Sequence, residues 1–131
     1  MPDRPTPLEL LDALEDFLRE DLMPTLEGAA SFHVRVAANV AGIVRRRLEL
    51  GPSAEAADRE RLSVLLDKDA PLDELERDLS LRLRAGEIDL EDPALVDHLV
   101  RSTLAKVAID NPRYAGYAEA LERWPEGGEA R

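Results

Sequence analysis

The chain has 131 residues, 44% of them hydrophobic and 34% charged, with 17 basic and 28 acidic side chains for a net charge of −11. That length suits one domain with a core of its own, and that composition excludes both a disordered chain and a membrane protein. The charge repels phosphate backbones and anionic lipid, so neither nucleic acid nor a membrane surface is expected as partner. Cysteine is absent, which removes disulfides, thiolate metal sites and cysteine nucleophiles and fits a reducing compartment. The start MPDRPTPLEL lacks the apolar stretch of a signal peptide, and no apolar run reaches the roughly 20 residues that span a bilayer. The expectation is a cytoplasmic protein.

The first helix opens at Thr6-Pro7-Leu8-Glu9, a capping box with proline at the first helical position. Leu8, Leu11, Leu14, Leu18 and Leu22, joined by Phe17, give it one apolar stripe from Pro7 to Leu22, and Pro24 stops it. Gly28 and Ser31 precede the most apolar segment, FHVRVAANVAGIVRRRLEL. There Phe32, Val36, Val40, Ile43, Val44 and Leu48 form a wide stripe, extended by Ala37, Ala38, Ala41 and Gly42. A helix this apolar is expected at the centre of a bundle. Gly51-Pro52 is expected to end it.

Ser53 then caps a third helix to Leu66, anchored by Leu62, Leu65 and Leu66. Ala70-Pro71 starts a fourth, with Leu72, Leu75, Leu79 and Leu83 inward until Gly86. Asp92-Pro93 opens a fifth, carrying Leu95, Val96, Leu99, Val100, Leu104 and Val107 up to Asn111-Pro112. A short last helix carries Tyr114, Tyr117, Leu121 and Trp124. No strand pattern occurs. The predicted fold is all-α, one domain over residues 1–131: a bundle of about five main helices and a short C-terminal helical segment. Its core spans residues 6–117, and residues 125–131 form a frayed tail.

Chemical signatures are few. His33 and His98 lie in no HExxH motif, and Asp89-Leu90-Glu91-Asp92 lacks the glycine and terminal glutamate of a calcium loop. No phosphate loop, GxSxG or dinucleotide fingerprint is present, and neither a metal nor a cofactor is expected. The second helix carries His33, Arg35, Asn39 and Arg46. Asn39 shares a side with Phe32, Val36 and Ile43, so it is expected at or near the core, bonded to another helix or to a ligand. Arg45-Arg46-Arg47 is a dense positive cluster that suits a helix C-terminus, an acidic partner or a phosphate.

The segment AIDNPRYAGY holds both tyrosines. Asn111 before Pro112 ends the fifth helix, and Asp110 or Asn111 is placed to cap the short last helix. Tyr114 and Tyr117 fall on one face of a helix, either as a lid on the open end of the bundle or as the wall of a pocket with Arg113, Lys106 and Asn39.

Three stretches, RPTPLELLDALEDFLREDL, FHVRVAANVAGIVRRRLELG and TLAKVAIDNPRYAGY, in their order and spacing resemble a bacterial family of small helical proteins of unknown function. The resemblance covers Arg4 to Tyr117. Members of that family are often encoded beside, or fused to, aminoglycoside-phosphotransferase-like kinases, with acyl-CoA dehydrogenases nearby. The resemblance therefore implies an accessory role and supplies no catalytic residue. The matching polar positions are His33, Arg35, Asn39, Lys106, Asp110, Asn111, Arg113, Tyr114 and Tyr117.

Three readings stay open at this level. The first is a noncatalytic accessory module that binds a phosphotransferase-like kinase or an acyl-CoA-metabolising enzyme. The second is a domain that binds or transforms an anionic or planar small molecule between the second helix and residues 110–117. The third is nucleic-acid regulation through Arg45 to Arg47. A surplus of apolar helix faces also suits a homodimer.

Overall fold

The computed structural model describes residues 3–125, and every regular element among them is helical. Of the expected tail, residues 126–131 lie outside the described residues. The helices are α1 (Pro7–Asp16), α2 (Gly28–Leu66), α3 (Leu72–Arg84), α4 (Pro93–Asp110) and α5 (Ala115–Arg123). The chain divides into two compact units, Met1–Gly51 and Pro52–Arg131.

In the first unit the capping box forms as the sequence predicts. Thr6 Oγ1 accepts from the Glu9 amide at 3.2 Å, and Glu9 Oε2 accepts from the Thr6 amide at 2.9 Å. Beyond Asp16 the helix widens into a π-helical turn, Phe17–Leu22, and closes in a 3₁₀ turn, Met23–Thr25. Gly28, at φ 60°, then turns the chain into α2.

Leu8, Leu11, Leu18 and Leu22 are half-buried, and the buried positions of α2 in this unit are the small residues Ala38, Ala41, Gly42 and Gly51. A Cβ on Gly42 would stand 3.1 Å from Glu15 Oε1, so the bare backbone there admits the Glu15 carboxylate. Arg19 Nε donates to Glu15 at 3.3 Å and Arg45 Nε at 3.4 Å.

This close seam corrects the expectation for the second helix. Its wide stripe does not lie in a core: Phe32, Val36, Val40, Val44 and Leu48 are exposed, and only Ile43 is half-buried. Periodicity locates a stripe on a helix, but what covers it depends on the neighbouring element, and here α1 takes the alanine and glycine face.

Gly51-Pro52 is not a stop. Pro52 lies inside α2, so the expected second and third helices are one, and Ser53 is not an N-cap. Proline disfavours helix in the preceding residue partly through that residue's Cβ, which Gly51 lacks. Gly51 also has no positive φ of the kind a C-terminal glycine cap needs.

The second unit is built as the leucine spacing predicts. Leu62, Leu66, Ala70, Leu75, Leu79 and Leu95 form one buried cluster, with Leu65, Leu72, Leu83 and Ile88 packed against it. Asp92 caps α4 by accepting from the Ala94 amide at 2.9 Å. The inward row of α4 differs from the expected one. Val96 and Leu99 are exposed, whereas Leu95, His98, Ser102 and Ile109 are buried. Polar side chains hold two of those inward positions because they find partners there.

Two helix ends share one hydrogen-bond pattern with different residues at its centre. After α3, Glu87 N donates to Arg82 O at 2.9 Å and Gly86 N to Leu83 O at 3.2 Å, with Gly86 at φ 73°. After α2, Lys68 N donates to Ser63 O at 3.2 Å and Asp67 N to Val64 O at 3.4 Å, with Asp67 at φ 49°. Both are Schellman ends, and the left-handed residue costs little only when it is glycine. Asp67→Gly is therefore expected to raise stability by about 1 kcal/mol and Gly86→Ala to lower it by about 1 kcal/mol, measured by urea denaturation.

Candidate functional site: a buried polar network in the second unit

Asp58 on α2 is 7% exposed, and His98 and Ser102 on α4 are 5% and 8% exposed. A carboxylate so far from water needs partners, because an unpaired buried charge is strongly unfavourable. Ser102 Oγ donates to Asp58 Oδ2 at 3.0 Å, and Arg61 Nη2 pairs with Asp58 Oδ1. Arg61 Nε also donates to His98 Nδ1 at 3.3 Å. Among the described residues, no buried side-chain nitrogen or oxygen lacks a hydrogen-bond partner.

The spacing explains why four polar groups converge. Asp58 and Arg61 lie three apart on α2, and His98 and Ser102 lie four apart on α4, so each pair shares a helix face. Leu62 follows Arg61 and Leu95 lies one turn before His98, and both are fully buried in the leucine cluster. Arg61 spans both faces: one nitrogen meets the carboxylate and another the imidazole. Its planar, permanently charged fork suits that double contact better than a lysine ammonium would.

Hydrogen bonding also settles the chemistry of His98. Its Nδ1 accepts from a guanidinium that cannot give up its proton, so the ring is neutral with hydrogen on Nε2. Burial lowers its pKa below the ordinary value of 6.5, Arg61 and Lys106 lower it too, and Asp58 and Asp97 act the other way. The hydroxyl of Ser102 is directed at Asp58 and not at His98. The four residues thus do not assemble a serine–histidine nucleophile and base, which requires a hydroxyl-to-imidazole hydrogen bond. They form a closed clamp between α2 and α4.

The residues singled out in the sequence take other places. In the first unit His33, Arg35 and Asn39 are exposed. Phe32 and His33 meet edge to face, with ring centroids 5.8 Å apart. Asn39, expected at or near the core, faces Arg19 instead, whose Nη2 donates to Asn39 Oδ1 at 2.8 Å. Its neighbours Ala38 and Ala41 take the buried side because only small residues fit the seam. Arg45 of the basic cluster pairs with Asp12, Glu15 and Glu49.

In the second unit Lys106, Asp110, Asn111, Arg113 and Tyr114 are exposed and Tyr117 is half-buried. α4 ends at Asp110, as expected for Asn111 before proline. The cap of α5 is Tyr114 rather than Asp110 or Asn111, and the Tyr114 side chain makes no capping hydrogen bond. Tyr114 N donates to Asn111 O at 3.1 Å and Tyr117 N to Tyr114 O at 3.0 Å, giving two tight turns in succession. The Tyr114 ring lies over Gly116, where a Cβ would come within 2.7 Å of it. The end of α5 is tied to α4 by Arg101, which donates to Trp124 O at 2.8 Å, and Arg123 stacks on the Trp124 ring at 4.6 Å.

The network itself was not foreseen from the sequence. Its signal was a polar pair, His98 and Ser102, in register with Leu95 on α4 and matched by Asp58 and Arg61 on α2. Among the described residues no group of three or more His, Cys, Asp or Glu side chains is placed to hold a metal ion.

Removing one member of a buried charged pair costs more than removing a neutral hydroxyl. Asp58→Ala is therefore expected to destabilise the protein by about 3 kcal/mol and Ser102→Ala by about 1 kcal/mol, as measured by urea denaturation. Protonating His98 would also set a donor against the Arg61 donor. The unfolded chain takes up that proton near pH 6.5 while the folded chain resists it, so stability declines as pH falls below that value. The slope is at most about 1.4 kcal/mol per pH unit between pH 6.5 and 5.5. His98→Gln keeps an acceptor for Arg61 without the titration and is expected to flatten this part of the pH–stability curve.

Among the described residues, no helix is long and apolar enough to cross a membrane. No curated protein and no solved structure matches the chain. One family does match, over residues 24–114. That stretch contains the whole buried network and most of the chain, and on it the chain belongs to the family described as Domain of unknown function (DUF6285).

Proposed function

We propose that the protein is a noncatalytic accessory module that works by binding another protein. The observation that carries this reading is the apolar surface of the first unit. Leu10 and Leu14 on α1 and Phe17 at the start of the π-helical turn are exposed at positions i, i+4 and i+7, and α2 adds its own exposed stripe. Large apolar side chains collected on helix faces, rather than scattered singly, are the usual mark of an association surface. The spacing on α1 is that of an amphipathic helix which seats its apolar face in a partner's groove. The polar side is acidic, with Asp12 and Asp16 exposed on α1 and Glu20 and Asp21 exposed in the π-helical turn, so the matching groove is apolar with a basic rim.

The partner proposed is a phosphotransferase-like kinase or an acyl-CoA-metabolising enzyme, in line with the gene neighbourhood of the family that the sequence resembles. The buried network supports an accessory role in a different way. Its hydroxyl is committed to the carboxylate and its imidazole to Arg61, which suits a rigid scaffold.

The test is co-expression with the neighbouring kinase, followed by size-exclusion chromatography at micromolar concentration. A co-eluting complex is expected, and Leu14→Glu or Phe17→Glu is expected to weaken it at least about tenfold. Separate elution of the two proteins would remove the reading.

A further inference from the structure

On α2, Phe32, Val36, Val40, Val44 and Leu48 recur every four residues, and each is between 42% and 58% exposed. Side chains four apart make a continuous ridge inclined to the helix axis, and ridges of this kind interlock with their like when two helices cross at about 50°. Beside the first half of the ridge runs the parallel row Ala29, His33 and Ala37, all exposed, two of whose three members have only a methyl side chain, before the row turns under α1 at Ala41. A tall row next to a low row is a self-complementary relief: the ridge of one helix fits the trough of an identical one.

We propose that a second copy of this chain covers the ridge, with the two α2 helices crossing about a twofold axis at Val40, the middle residue of the five. This rests on the reading of the first unit as an association surface and assigns the α2 part of that surface to self-association.

Three observations favour a copy of the chain over an unrelated protein. The ridge is aliphatic apart from Phe32, and homodimer interfaces are more apolar than those of transient complexes, which favour tyrosine, tryptophan and arginine. With whole residues of roughly 150–200 Å² each, valine at the low end, and about half of each open, the ridge offers on the order of 400 Å². That is roughly half of the about 800 Å² that each partner buries in a standard interface, and Arg35 and Arg47 stand at its edge to supply a polar rim. The charge pattern agrees as well. Residues 28–48 contain four arginines and no acidic residue in a chain of net charge −11, and Arg45 is paired within its own copy by Asp12, Glu15 and Glu49, so two ridges meet without bringing the acidic surfaces of the copies together. A closed twofold contact of one patch with itself is the commonest form of protein oligomer.

The experiment uses the full-length chain and sedimentation equilibrium from about 1 to 100 μM, with circular dichroism to confirm that each variant is helical. A dimer is expected. Val40→Glu would place a charge at the centre of the contact and is expected to weaken dimerisation at least about 30-fold, while Leu14→Glu on α1 leaves it unchanged. A second pair of variants does not depend on Val40→Glu being folded. The chain has no cysteine, so Val40→Cys and Val64→Cys each introduce a single thiol.

At the twofold axis, Val40→Cys is expected to form an intermolecular disulfide much faster than Val64→Cys, although Val64 is 80% exposed and Val40 only 53%. A wild-type chain that is monomeric at 100 μM, or cross-linking that tracks exposure alone, would overturn the proposal. Dimer formation without a kinase complex removes the accessory reading and keeps the dimer. A kinase complex formed by a monomeric chain does the reverse.

Discussion

Asp58 is a carboxylate in an apolar place, and much of the second unit is arranged around that fact. With so little of it in contact with water, its charge must be met by a cation and its remaining oxygen by a donor. Arg61 supplies the first from one turn along the same helix, and Ser102 supplies the second from α4. Because Arg61 is then held in place, its Nε donates to His98 Nδ1 and acts together with burial against protonation of that ring. One buried charge thus fixes the distance between α2 and α4, the rotation of α4 about its axis and the tautomer of the histidine. The leucine cluster beside it supplies the burial free energy, and the network supplies the register.

The first unit solves a different problem. A helix in which residues 28–48 carry four arginines and no acid lies beside α1, which carries Glu9, Asp12, Glu15 and Asp16. The attraction is drawn in closely because Ala38, Ala41 and Gly42 let the two backbones approach. Glu15 then sits against Gly42 with guanidinium groups from Arg19 and Arg45 on either side. A seam made from small residues leaves the large ones elsewhere on α2. The exposed ridge is therefore a consequence of how α1 packs, and the same constraint that closes the hairpin creates the surface available for association.

The two units differ in how much of them could be read from the residues. Capping and stop signals located helix ends well: Thr6 to Glu9, Asp92-Pro93, Gly86 and Asn111-Pro112 all act where their local chemistry says. The inward positions of α3 were also legible, because Leu75 and Leu79 have no competing apolar face. Gly51-Pro52 misled because a glycine before proline lacks the Cβ that contributes to the helix-disfavouring clash. The candidate site was hardly legible. Asp58, Arg61, His98 and Ser102 are 37 or more residues apart between the helices, and each pair looks like an ordinary polar interruption until its counterpart faces it.

By itself the sequence determined that the chain is helical, where most helices begin and end, and that each has an apolar face, since all of these arise from short-range periodicity and capping. Only the tertiary structure decided which face is covered. Burial depends on the neighbour that arrives: α1 chose the small residues of α2 and left Val40 in the open, and α4 turned His98 and Ser102 inward because Asp58 and Arg61 were waiting for them.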